Sequence, residues 1–218
     1  MKWDVVADNF FYLARGLEVT AGIGLTVMLT GTVLGFVIGF MRISGWWILR
    51  TVSLLFVELF RDTPLILQIF FVFFGLPALG IRLNPLLAAS LAMTFFAAAN
   101  AAEIVRGAIQ SIPHGQVEAA RSLAFTWWQT MSLVILPQAL RRMVPPFMGL
   151  FTTLIKDTSL AAIIGVFELT RAGREVVERT LASFEIWITV AAIYFLICYP
   201  LSMLTQRLEQ RLTAEAGH

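Results

Sequence analysis

Charge is what this sequence has least of. Only 14% of its 218 residues are Asp, Glu, Lys or Arg, against 58% apolar, whereas a soluble domain carries roughly a quarter charged residues. The single cysteine, Cys198, lies inside an apolar run and excludes an intrachain disulfide. The only histidines are His114 and His218, and no pair has the spacing of metal ligands. There is no Gly-x-x-x-x-Gly-Lys-[Ser/Thr] phosphate loop, so the chain is not expected to hydrolyse nucleotide itself. A Gly-x-Ser-x-Gly nucleophile elbow is also missing. A net charge of +2 is too small for a nucleic-acid-binding surface. The opening MKWDVVADNFFYLARGLEVT has acids at Asp4, Asp8 and Glu18, unlike a cleavable secretory signal. No low-complexity tract and no convincing repeat stand out. These absences argue against a hydrolase or metalloenzyme and favour transport that draws its energy from elsewhere.

What the sequence has in abundance is apolar runs of about twenty residues, enough to cross a ~30 Å hydrocarbon core at ~1.5 Å per residue. With a mean hydropathy of +0.80, the expectation is an all-α, polytopic membrane protein, a single transmembrane domain over residues 1–218. Five spans are predicted. The first covers about 20–41, where Gly31, Gly35 and Gly39 form a smooth ridge for close helix approach. Arg42, Trp46, Trp47 and Arg50 read as interfacial anchors. The second span is expected at about 64–79, with Thr63 as N-cap and Pro64 as first helical residue. A partly interfacial segment with Glu58, Arg61 and Asp62 precedes it. The third span falls at about 85–105, the fourth at about 145–167 and the fifth at about 186–204.

Five spans place the termini on opposite sides. The distribution of arginine and lysine predicts an outside N-terminus and a cytoplasmic C-terminus. The connector after span four carries Glu168, Arg171, Arg174, Glu175, Glu178 and Arg179 at three- and four-residue spacings. It reads as a solvated helix with internal pairs, or as a docking surface.

One stretch interrupts the lipid-like pattern: residues 116–142, QVEAARSLAFTWWQTMSLVILPQALRR. As a helix, 116–125 places small Ala119 and Ala120 between Glu118 and Arg121. Small side chains let a helix seat deeply in a groove of another protein, and the flanking charges orient it. Pro137 is expected to end or kink the ladder, leaving a short peg braced by Trp127 and Trp128. The plainer alternative is an interfacial amphipathic helix.

Polar residues within spans usually face a bundle interior or a wet cavity. Lys156, Asp157, Thr158 and Ser159 form the densest such cluster. Asp157 could neutralise an amino group while Thr158 and Ser159 bind a carboxylate, or the cluster simply pins span four. Asn100 and Glu103 are the next candidates, with Glu103 also placed to pair with Arg106.

The residues Glu118-Ala119-Ala120 followed by Ile135-Leu136-Pro137 resemble the EAA signature of bacterial ABC importer permeases. ELFRDTPLILQIFF, AEIVRGAIQSIPHGQVEAARSL, VILPQALRRMVPP and LIKDTSLAAIIGVFEL resemble the polar amino acid subfamily, and the likeness spans residues 16–204. The resemblance implies the type I importer permease fold, with a cytoplasmic coupling helix in the region 113–137 and Gly115, Glu118, Ala119, Ala120, Arg121 and Ala124 contacting an ATPase. It implies an ATPase dimer holding ATP and Mg, with no cofactor in this chain. It also implies a second permease subunit, a sister more readily than a second copy, and an extracytoplasmic amino-acid-binding protein, all in a bacterial inner membrane. Ala124 departs from the pattern, standing where the family has glycine; it is expected to stay right-handed, because a left-handed alanine costs roughly 1 kcal/mol. Asp62 is a further departure, where relatives often read Arg-Gly-Thr-Pro. Two rivals remain at this stage: a stand-alone secondary transporter, and a membrane adaptor that oligomerises through the Gly31–Gly39 ridge.

Overall fold

The computed structural model describes residues 2–216; Met1, Gly217 and His218 lie outside that range. Among the described residues every element is helical. Helix α1 is short (Asp4–Asp8). Helix α2 (Phe10–Ile43) starts well before the predicted first span and pairs most extensively with α5 (Pro85–Gln110). The glycine ridge makes that pairing. A Cβ built on Gly31 would lie 2.6 Å from Ala97 Cβ, one on Gly35 2.4 Å from Ala101 Cβ, and one on Gly39 2.8 Å from Val105 Cβ. Apolar attraction does little between helices in lipid, so close van der Waals approach of small residues carries association. The ridge is therefore filled from within the chain, which removes the surface on which the adaptor reading rested. On α2, Leu25, Leu29, Val33 and Val37 are left exposed as a lipid-facing stripe.

Both sides of that seam advance together, so α2 and α5 run parallel. The chain between them must then return across the membrane. It does so through α3 (Trp47–Arg61) and α4 (Leu65–Phe70), the latter continued by a π turn (Phe71–Gly75) and a 3-10 turn (Leu76–Leu79). The two halves meet at a 101° bend. The predicted cap is corrected here: Pro64 holds the N-cap position, and the Thr63 hydroxyl instead donates backward to Leu59 O at 2.7 Å. Buried Gln68 makes the break tolerable. Its amide nitrogen donates to Phe60 O (2.8 Å), in the last turn of α3, and to Thr63 O (3.0 Å), in the break itself.

After α5 comes the short α6 (His114–Ser122), and then one long span that begins well before the expected residue 145. Helix α7 (Trp127–Gln129), a π turn (Thr130–Ile135), α8 (Leu136–Asp157) and a 3-10 turn (Thr158–Ile164) run on as a single apolar element, Trp127–Ile164. Pro137 neither ends the ladder nor bounds the peg: the π turn just before it loosens the hydrogen bonding where proline removes a donor. Pro145 is likewise interior to α8 and does not start the span. Helix α8 lies antiparallel to α2, with Phe36 stacked on Phe147 and Gly24 against Ile155.

Helix α9 (Leu169–Thr180) is the predicted connector, but Glu168 is not on its solvated face. That carboxylate is fully buried, accepting from Tyr194 Oη (3.0 Å), Thr20 Oγ1 (3.4 Å) and the Arg171 N–H (2.8 Å). It caps α9 and fastens it to α2 and to α10 (Ser183–Ala216), the fifth span. The expected internal pair does form between Arg171 and Glu175 at 2.9 Å. Among the described residues, then, four helices are long and apolar enough to cross a membrane, and the bent pair makes a fifth span.

Two tests follow from this packing. Gly35→Ala should cost about 1–3 kcal/mol by overpacking, read as a lowered unfolding midpoint in detergent. Gly22→Ala, with nothing within 4 Å of its added methyl, should not lower it. The second concerns Glu175, whose carboxyl is held below its ordinary value of 4.5 by the Tyr12 hydroxyl and then by Arg171. A depressed folded-state pKa gives stability that is complete at neutral pH and lost as pH falls through that lowered value. Tyr12→Phe should therefore lower the midpoint at pH 7, and its gap from the parent should shrink below roughly pH 4.

Candidate functional site

Two places concentrate the chemistry, and α5 and span four build both. The first is α6. Pro113 sets the turn into it; Ala120 is buried, and Val117 packs on a cluster from α5 and span four that includes Val105, Ile109, Met131 and Ile135. Arg142 ties the same two elements by donating to Ser111 O (2.7 Å) and Ser111 Oγ (3.0 Å). Gly115, Glu118, Ala119 and Arg121 are exposed. Leu123 stands 71% exposed at the C-terminal end of α6, an apolar surface that reading the charges and alanines alone had missed.

Ala124 corrects the expectation made for it. Its φ is +56°, in the left-handed region. The reason is the way α6 ends: Phe125 N–H donates to Ala120 O (3.1 Å) and Ala124 N–H to Arg121 O (2.9 Å), a Schellman closure that requires a left-handed residue at Ala124. Two satisfied carbonyls outweigh the alanine strain. The chain turns at once into a capping box, with Thr126 Oγ1 accepting from Gln129 N–H and Gln129 Oε1 from Thr126 N–H. The peg is thus fixed at its exit by hydrogen bonds on both sides of the turn.

The second place is a cavity of about 390 Å³, lined by Arg61, Phe96, Asn100, Glu103, Leu150 and Thr153 among others. The structure brings Asn100 and Glu103 together there. Asn100 Nδ2 donates to Phe96 O at 2.9 Å. Glu103 Oε1 accepts from Arg106 Nε at 2.9 Å, and Oε2 lies 3.6 Å from Arg42 on α2. Sequence reasoning had assigned Arg61 to an interfacial cluster and Arg42 to the interfacial anchors, and had missed Thr153; the bend at Pro64 brings Arg61 to the cavity, the α2–α5 seam brings Arg42 to Glu103, and the packing of α8 on α5 brings Thr153.

Asp157, Thr158 and Ser159 are not among the cavity's lining residues. Thr158 is buried and donates to Ile155 O (2.8 Å), and Ser159 donates to Lys156 O (2.8 Å), so both hydroxyls serve the switch from α8 to the 3-10 turn. They stand one turn beyond Thr153 on the same span.

Residues 31–214 match the family described as binding-protein-dependent transport system inner membrane component. The chain is 40% identical over 212 residues to the glutamine transport system permease protein GlnP of Escherichia coli, covering 96% of this chain and 97% of that one. It is 38% identical over 214 residues to the L-cystine transport system permease protein TcyB of Bacillus subtilis, covering 97% and 92%. Its fold is similar to a crystal structure of an amino acid ABC transporter with histidines, with a TM-score of 0.92 and 30% identity over 97% of this chain and 99% of that chain. A methionine ABC transporter, MetNI, shares the fold at a TM-score of 0.77 and 23% identity, over 94% of this chain and 98% of that chain.

Ala124 yields a direct test. Ala124→Gly should raise stability by up to about 1 kcal/mol by relieving the left-handed strain. The β-branched Ala124→Val should lower it by more than that, and protease protection of residues 111–126 should follow the same order.

Proposed function

The chain belongs to the binding-protein-dependent transport system inner membrane component family, and on that footing we propose that it is the permease subunit of an ABC importer carrying a polar amino acid. The ATPase is a separate subunit pair that holds ATP and Mg. A second permease, a sister chain rather than a second copy, completes the pathway, and an extracytoplasmic amino-acid-binding protein delivers the ligand. We place the chain in a bacterial inner membrane among lipid, with the N-terminus outside and α6 and the C-terminus in the cytoplasm.

The observation that carries this reading is α6 itself: a short helix with an exposed outer face, seated by Ala120 and Val117 on both α5 and span four. Gly115, Glu118, Ala119, Ala120, Arg121 and Ala124 form the coupling element. Its outer residues engage a cleft of the ATPase, Ala120 holds it to the bundle, and Ala124 fixes its exit. Force on α6 reaches α5 and span four together. Asn100 and Glu103 lie on α5, and Leu150 and Thr153 on α8, so a shift between these helices at the peg changes the cavity between them. Asn100 and Glu103 belong to the substrate pathway, with Asp157, Thr158 and Ser159 on its outward side, next along span four.

The double substitution Glu118→Lys with Ala119→Trp falls on two exposed positions and should leave the fold intact. It should abolish co-purification of an ATPase and lower ATP-driven amino acid uptake in proteoliposomes at least about tenfold, a loss of more than ~1.4 kcal/mol of coupling. Retained ATPase binding and uptake would overturn the coupling role of α6.

A further inference from the structure

The cavity's polar groups are largely spoken for, and that constrains what it can hold. Among the described residues Glu103 is the only carboxylate lining it, and it faces three guanidinium groups. Its Oε1 accepts from Arg106, its Oε2 lies 3.6 Å from Arg42, and Arg61 lines the same cavity. Oε2 is buried beside Arg42, outside the cavity's lining, and accepts no hydrogen bond among the described residues, so it is the Arg42 ion pair and not the cavity that this oxygen faces. The carboxylate is surrounded by more positive charge than it can offset.

The remaining groups form a short inventory. Arg61 has no acid within ion-pair distance among the described residues, leaving its guanidinium for a carboxylate. Asn100 gives one of its two amide hydrogens to Phe96 O, leaving the other as a donor and Oδ1 as an acceptor. Thr153 donates its hydroxyl hydrogen to Gly149 O at 3.1 Å, leaving its oxygen to accept. One cationic fork and two neutral acceptors match the α-carboxylate and α-ammonium of a zwitterion. No free carboxylate is left for a second cation.

We propose that Arg42 and Arg106 sequester Glu103, so that the cavity accepts amino acids with uncharged side chains, such as glutamine, and turns away basic ones. This selectivity rests on the amino acid permease reading above. Arg42 reaches Glu103 from α2 and Arg106 from one turn along α5, so neither acts by touching the ligand; both are positioning residues that set what Glu103 can do.

The test is direct binding to the purified permease–ATPase complex without binding protein, so that only this cavity selects. Radiolabelled glutamine and lysine, similar in length, are the probes. Glutamine should bind at least about tenfold more tightly than lysine to the parent complex. Arg42→Gln should free Oε2 and close that gap by raising lysine affinity, a gain that misfolding cannot produce. Because Arg42→Gln also removes a strut between α2 and α5, Asn100→Asp provides a second route: a carboxylate placed in the cavity should likewise admit lysine. Equal binding of lysine and glutamine by the parent would overturn the sequestration while leaving the amino acid permease standing, as would both variants retaining their preference for glutamine. If the parent complex binds neither amino acid and imports none, the permease reading fails and the inference falls with it.

Discussion

The structure depends on how closely α2 and α5 approach each other. Within a bilayer no hydrophobic gain pulls one apolar helix to another, so attraction comes from packed atoms, and packed atoms require small residues. Gly31, Gly35 and Gly39 leave room for the alanines of α5 and for Val105 to touch the α2 backbone. Because the seam is parallel, the polypeptide between its halves must recross the membrane. The seam also fixes the register that puts Arg42 beside Glu103. A ridge of hydrogens on one helix thus decides both the topology of the second span and the electrostatics of a cavity formed on the third.

The second constraint is that lipid supplies no hydrogen bonds. A helix broken by 101° within an apolar region exposes carbonyls that water would satisfy elsewhere. Gln68 meets this need by reaching back to Phe60 O and Thr63 O. At the N-terminus of α9 Glu168 does the reverse: it is an acceptor, and three donors from α2, α9 and α10 converge on it. Each residue is polar, buried and joins elements that are distant along the chain or sharply bent, so each costs more to lose than a surface polar residue would.

These contacts mark the boundary of what could be read from the residues in order. The apolar runs, the glycine ridge and the Glu118-Ala119-Ala120 peg were legible because each is a local pattern with a local cause: length against bilayer thickness, small residues one turn apart, charges flanking alanines. The Glu103–Arg106 pair was legible for the same reason, being one turn apart on one helix. Gln68, Glu168 and Arg61 were not, because their partners arrive through tertiary packing. Ala124 was misread in a more instructive way. The strain argument was sound, but it omitted the carbonyls of Ala120 and Arg121, which need N–H donors that only a left-handed turn delivers. The departure from glycine changed the cost of the turn and left its geometry in place.

The proposed coupling role of α6 requires that a push there be felt in a cavity several turns away. The two helices beneath the peg differ in stiffness. Helix α5 is an unbroken α-helix, rich in alanine and clamped along its length to α2. Span four contains a π turn, three prolines and a terminal 3-10 turn, each of which removes or lengthens backbone hydrogen bonds. A displacement applied to both cannot be shared equally: the clamped helix holds its place and the interrupted one bends. On the proposed coupling role of α6, Asn100 and Glu103 would be the fixed wall of the cavity, and Leu150 and Thr153 the wall that moves. On that proposal the prolines and the π turn, which look like defects in a membrane helix, would set the direction in which force from α6 is resolved.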